Sequence, residues 1–170
     1  MHLLALFLIA APAASPDFPG RGSAGITLNL PNGSDPTLVG ATWFLSNDVA
    51  VRGDFGLSFP ITPSGAGQNK TFTLSAAVRW YGIKRDHVGV FLQPAFAFGR
   101  ELSPAVTAEA AEFVRFGGGV GVEYFFTNHF SVGGLLELAL KFANLGGPGG
   151  TPVYTSLTTD ASTISANVYF

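Results

Sequence analysis

The sequence predicts an all-β fold, an eight-stranded antiparallel up-and-down barrel, on three observations. Apolar residues recur at every second position from Ser23 onward, where a helix would show a period of 3.6. Eight such stretches are joined by connections that alternate between long and short. Bulky side chains gather on one parity, small and charged ones on the other, and the bulky set would overfill so narrow a cylinder.

Composition sets the bounds. A chain of 170 residues suffices for one domain and is too short for two with a linker. Nine Lys and Arg against eleven Asp and Glu give a net charge of -2, which excludes a nucleic-acid binder held by a broad basic patch. Charged residues make up 12% of the chain, where a soluble domain has roughly 25%. With 47% hydrophobic residues the balance is opposite to that of a disordered chain. The absence of cysteine excludes a disulfide framework, a thiolate zinc site, a cysteine nucleophile and a lipid-modified cysteine. Beyond the N-terminus, no apolar run reaches the roughly 18 residues that a spanning helix needs.

Leu3 to Ala11 reads LLALFLIAA, the length of a signal-peptide core and too short to span. Ala11-Pro12-Ala13 supplies a small-x-small cleavage pattern, so a signal peptide over 1–13 and a barrel domain over 20–170 are expected. Met1-His2 carries no Lys or Arg, so the signal is atypical or the true start lies upstream.

The clearest strand is Val49 to Phe59, with Val49, Val51, Phe55, Leu57 and Phe59 on one face and Ala50, Arg52, Asp54 and Ser58 on the other. Its eleven residues match the roughly 9–11 with which a tilted strand crosses a bilayer. The same alternation marks Ile26–Leu30, Val39–Leu45, Phe72–Trp80, Val88–Phe98, Val114–Tyr124, Phe130–Phe142 and Ile164–Phe170. Short turns fall at Ser46-Asn47-Asp48, at Lys84 to His87 and at Thr127-Asn128-His129. Long links rich in Gly, Pro and Ser occupy Pro31–Thr37, Pro60–Lys70, Arg100–Glu112 and Asn144–Tyr154. Within the third link, Ser103-Pro104 resembles a capped helix start, which predicts a short helix through Ala105–Glu112.

Orientation follows from volume and charge. One face carries Trp43, Trp80, Tyr124 and most of the Phe residues. The other is mainly Gly, Ala, Ser and Thr, with Arg52, Asp54, Arg79, Arg115, Glu123, Glu137 and Lys141 among them. Four bases and three acids nearly cancel, as an enclosed ion-pair network should. Charges on a lipid-facing surface at mid-bilayer each cost roughly 2–4 kcal/mol, and the bulky face has none there. Asp160 has lipid-facing parity and is expected at the outer rim. Trp43, Trp80 and Tyr124 all precede short turns, forming an aromatic girdle at one membrane edge. The bulky face therefore points outward, into lipid. Phe44, Phe91, Phe125 and Leu135 have lumen parity, so they fill the interior or mark bulges. Pro94, inside the fifth strand, predicts a local irregularity in the ladder.

Three aromatic–turn–apolar hairpins, WFLSNDVAV, WYGIKRDHVGV and YFFTNHFSV, and the ending Ile164-x-Ala166-x-Val168-x-Phe170 carry a resemblance to a known family. The chain resembles the small outer-membrane β-barrels of Gram-negative bacteria, the OmpA/OmpX-type group. The resemblance implies short periplasmic turns, longer extracellular loops and residence in the outer membrane as a monomer amid lipid and lipopolysaccharide. It also makes Ile164, Ala166, Val168 and Phe170 a signal to the barrel-assembly machinery. No cell-wall-binding domain is expected after Phe170, so tethering to peptidoglycan is not carried over.

Candidate chemistry is sparse. His129, Ser131 and Glu137 share one parity of the seventh strand, and a His-x-Ser pair with a later Glu is similar to barrel lipid A deacylases. Lumen parity and a turn position far from the outer leaflet count against that role, as does the missing Asn-Ala-Gly segment after the serine. His87 and His129 lie in short turns, where solvated histidines are expected in place of a metal site. Gly117-Gly118-Gly119 opens no helix and so is no phosphate loop; close packing of the barrel wall accounts for it. No catalytic, cofactor-binding or metal residue is assigned, and a non-enzymatic barrel is expected. The lumen charges form either a plug or a narrow anion-leaning pore, as in porin-like or OmpW-like barrels, with the plug preferred. Extracellular recognition belongs to the long loops. A lipid-modifying enzyme and a secreted soluble barrel with an apolar ligand remain as alternatives.

Overall fold

The computed structural model describes residues 18–30, 37–58, 70–102, 111–144 and 153–170. The expected signal peptide, Phe59 and residues 103–110 of the expected helix lie outside them. Eight strands run in chain order: β1 Ala24–Leu30, β2 Leu38–Phe44, β3 Val49–Ser58, β4 Lys70–Arg85, β5 Val88–Leu102, β6 Ala111–Thr127, β7 Phe130–Asn144 and β8 Val153–Tyr169. Each pairs antiparallel with its neighbours in sequence, and β8 closes onto β1 from Gly25↔Tyr169 to Leu30↔Ile164. Closure leaves no strand edge unpaired. The all-β, eight-stranded antiparallel barrel is therefore the fold.

The strands reach further than hydrophobic alternation alone indicated. β4 continues five residues past Trp80, and the second short turn shrinks to Asp86 and His87, with Asp86 in the left-handed region at φ 53. At the long-loop end, Ala111 and Glu112 are strand residues paired with Glu101 and Arg100, so no helix extends to Glu112. Ladder pairing holds these residues extended where their side chains give no alternating signal.

Orientation is resolved by exposure. Trp43 (57%), Trp80 (53%), Phe55, Phe116 and Leu138 stand on the outside, while Arg52, Asp54, Arg79 and Glu123 are buried within. Tyr124 also faces out, and its ring stacks on His87 at 5.5 Å. Ile164 and Val168 are exposed on β8, as is Phe170 just beyond it, and Ala166 is half-buried beside them. Phe44, Phe91 and Phe125 fill the interior, with Leu135 packed against them.

Three register shifts adjust this alternation. One falls between Tyr81 and Ile83, so that Trp80 and Ile83 both face outward across exposed Gly82. A second falls between Phe125 and Thr127. The third corrects a sequence expectation. Between Leu135 and Glu137, two steps on β7, the partner strand moves three residues, from Thr163 to Asp160. This extra β8 residue reverses the parity of everything above it, which is why Leu157 is exposed although Ile164 is too. In the backbone register Asp160 therefore pairs with Glu137 at mid-strand, where lipid-facing parity at the rim was expected.

Pro94 does interrupt a ladder. β4 and β5 pair Ala77 with Ala95 and next Trp80 with Leu92, skipping two residues on each strand, while on the other side Pro94 keeps its partner Gly118. The glycine run packs the wall at two of its three positions. A Cβ on Gly117 would lie 2.6 Å from Glu137 Oε1, and one on Gly119 2.4 Å from the Leu136 carbonyl. Outward Gly118 has nothing nearer than 3.9 Å.

Candidate functional site

The lumen is built in layers, and the lowest is aromatic. Trp43-Phe44, Trp80-Tyr81 and Tyr124-Phe125 are aromatic doublets whose first ring faces out and second faces in, and Val168-Tyr169 repeats the step on β8. The four inner rings form a closed square. Centroid distances are 5.9 Å for Phe44–Tyr81, 6.3 Å for Tyr81–Phe125, 6.2 Å for Phe125–Tyr169 and 5.7 Å for Tyr169–Phe44. One backbone rule fixes all four. Each residue's N–H donates to the carbonyl just before the preceding strand: Phe44 to Ser23, Tyr81 to Asp48, Phe125 to His87 and Tyr169 to His129, at 2.8–2.9 Å. Phe18 lies edge-on to Phe125 at 4.7 Å, beneath the Lys84 ammonium.

The turn histidines belong to this floor. Nδ1 of His87 bonds the Phe125 carbonyl at 2.9 Å and Nδ1 of His129 the Tyr169 carbonyl at 3.0 Å. Each ring thereby braces its short turn through Nδ1, with His129 exposed and His87 half-buried.

Above the floor sits a polar layer centred on Glu123, which is fully buried. Its Oε2 accepts from Arg79 Nη1 at 2.7 Å and from the Tyr81 hydroxyl at 2.5 Å. Oε1 accepts from the Tyr169 hydroxyl at 2.7 Å, from Asn167 Nδ2 at 2.9 Å and from the Ser131 hydroxyl. Donors from β4, β7 and β8 thus converge on one carboxylate of β6, stitching half the barrel's strands together. The Arg79 guanidinium also donates Nε to Gln93 Oε1 at 3.0 Å and lies 4.0 Å above the Phe91 ring.

Toward the long-loop end, Arg52 Nε and Nη2 grip Asp54 at 2.8 Å, and Asp54 also accepts from Asn29 at 2.9 Å and Ser75 at 3.3 Å. Arg115 faces Glu137 at 3.8 Å, and Lys141 Nζ lies 4.4 Å from the Phe113 ring centroid. Six of the seven lumen charges read from the sequence thus lie in three cross-strand or same-strand pairs. Of the uncharged members of the Glu123 layer, Tyr81, Asn167 and Tyr169 are not picked out by the sequence, and Ser131 is singled out only as a nucleophile candidate. Their signal was the second position of each doublet, together with polar residues of inward parity at Ser131 and Asn167.

His129, Ser131 and Glu137 serve three different layers. His129 clamps a turn, Ser131 donates to Glu123, and Glu137 faces Arg115. Ser131 has no exposed surface, so its hydroxyl reaches no lipid ester. Among the described residues, no group of three or more His, Cys, Asp or Glu could hold a metal ion.

Among solved structures, the N-terminal β-barrel domain of Pseudomonas aeruginosa OprF is similar at a TM-score of 0.60 and 15% identity, covering 89% of this chain and 99% of that one. The chain has the fold of the small outer-membrane barrels. Neisserial surface protein A (TM-score 0.47, 13% identity, 87% of this chain and 94% of that one) also matches, and so does Ail of Yersinia pestis (TM-score 0.43, 12% identity, 88% and 99%). At those scores neither adds to the assignment. No protein-family model and no curated protein matches the sequence.

Proposed function

We propose that this barrel is an integral protein of the outer membrane, non-enzymatic, with a lumen plugged by its own ion pairs and a structural or surface-interaction role. The observation that carries this reading is the outward belt. Large apolar side chains stand exposed on every strand, among them Phe55, Leu74, Phe96, Phe116 and Leu138. Soluble monomers rarely expose an apolar patch above roughly 600 Å². Each such side chain removed from water contributes about 1.5–3 kcal/mol, so a barrel with this surface is stable in hydrocarbon and aggregates outside it.

The layers support the plug. A ring floor and the Glu123 layer, each formed by side chains from several strands, lie in series along the lumen with the same-strand Arg52–Asp54 pair. Outer-membrane lipid and lipopolysaccharide are then the surroundings. The assembly machinery reads the outward positions Ile164, Ala166, Val168 and Phe170. Any extracellular ligand meets the long loops.

Membrane fractionation, with electrophoresis of unboiled and boiled samples, tests the reading. The chain should sediment with outer membranes and migrate as a compact band that shifts on boiling. Recovery in the soluble fraction without a shift would end the membrane reading. In planar bilayers the native chain should give no conductance steps, and regular steps would replace the plug by a pore. Deleting residues 103–110 should reduce adhesion or serum survival; unchanged values remove that loop from the recognition role.

A further inference from the structure

Above the Glu123 layer the lumen holds a cavity of about 60 Å³, lined by Arg52, Arg79, Arg115 and Gln93 and by the carboxylates of Asp54 and Glu137, among others. A water needs roughly 10–15 Å³ of such space, so the cavity takes a few waters or one small ion in their place. The hydrogen-bond inventory of its wall is lopsided. Arg52 spends Nε and Nη2 on Asp54, and Nη1 has no acceptor among the described residues. Arg79 spends Nε on Gln93 and Nη1 on Glu123 and Tyr81, and Nη2 has none. Gln93 accepts through Oε1, and its Nε2 amide likewise donates to nothing.

Neither Asp54 nor Glu123 can absorb these donors, and Glu137 faces Arg115. Asp54 already accepts from Arg52, Asn29 and Ser75, and Glu123 from five groups. Three side chains with an unmet donor, two of them guanidinium groups, therefore line one space within the lumen. Arg52 and Arg79 are diagonal neighbours on adjacent strands, since Ala50 pairs with Arg79 and Arg52 with Ala77.

We propose that this cavity binds a small inorganic oxyanion, held by Arg52 Nη1, Arg79 Nη2 and Gln93 Nε2. The site depends on the lumen's side chains and not on where the barrel resides, so its failure leaves the membrane reading standing. Binding gives buried cationic donors the acceptors they lack, and it favours the folded barrel by mass action.

Nitrate is the probe, because sulfate and phosphate stabilise proteins generally through exclusion from their surfaces. The chain is refolded in an uncharged maltoside detergent, and its thermal midpoint is followed in sodium nitrate and in sodium gluconate at matched ionic strength. Gluconate is too large for the cavity. Nitrate should raise the midpoint saturably, with a folded-to-unfolded ratio increased about 100-fold at 100 times the dissociation constant. Gln93→Glu keeps an acceptor for Arg79 and places its own carboxylate in the cavity. This variant should melt above the native chain in gluconate and lose the nitrate response. Equal midpoints in the two salts would overturn the proposal, as would a Gln93→Glu response as large as the native one.

Discussion

Replacing Glu123 by Ala should be the most damaging single substitution in the lumen. It strands the Arg79 guanidinium, only 2% exposed, and removes the common acceptor of Tyr81, Ser131, Asn167 and Tyr169. Removing one member of a buried ion pair costs about 3–5 kcal/mol. Each further donor left unmet adds about 1–3 kcal/mol. Water from the cavity above can reach some of these groups, so the sum over all five is an upper bound. The pair and one further donor give about 4–8 kcal/mol, at least a roughly thousandfold fall in the folding equilibrium. The assay is urea titration in detergent, reading the compact electrophoretic band. Adding Arg79→Met to the Glu123→Ala chain removes the stranded charge, so the double variant should be more stable than Glu123→Ala alone. A loss below about 1 kcal/mol for Glu123→Ala, or strictly additive costs in the double variant, would refute the hub.

The remaining predictions concern packing, the floor and the outward surface. A Cβ at Gly121 would lie 2.1 Å from Phe91 Cζ and 2.8 Å from the Gly134 carbonyl, so Gly121→Ala should cost about 1–3 kcal/mol in the same titration. Gly118→Ala, with nothing nearer than 3.9 Å, should be neutral; equal costs would contradict the assigned faces. Tyr169→Phe keeps the ring square and loses the 2.7 Å bond to Glu123, which predicts about 1–3 kcal/mol of destabilisation with the compact band retained. Leu138→Arg should cost about 2–4 kcal/mol in lipid vesicles if Leu138 meets acyl chains. A neutral effect there would count against that placement.

The sequence revealed the architecture because its strongest signal, period-two alternation, belongs to the strands themselves. The three aromatic–turn–apolar hairpins located the short turns, and the scarcity of charge among the large residues decided the orientation. What it concealed depends on pairing. The extra residue on β8 that brings Asp160 into register with Glu137 shows only in the pairing of the two strands. The same holds for the extension of β4 to Arg85 and of β6 back to Ala111. In the lumen, Arg79 and Glu123 stood out as charges, but Tyr81 and Tyr169 read as further aromatics. Their role as donors depends on the barrel's closure, which brings β4 and β8 to the carboxylate on β6. Ser131 drew attention as a nucleophile candidate because spacing along one strand is visible in sequence; its actual partner lies across the hairpin on β6.

The central claim is that the bulky face meets lipid and the ionic face is enclosed. The chain has no cysteine, so single nitroxide labels can be placed at will. Arg115→Cys and Phe116→Cys are adjacent on β6 and so probe the same depth on opposite faces. In bilayers, the label at 116 should collide freely with dissolved oxygen and not with a water-soluble nickel chelate, while the label at 115 should be shielded from the lipid-borne oxygen. The reverse pattern, with 115 open to lipid and 116 protected, would contradict the account.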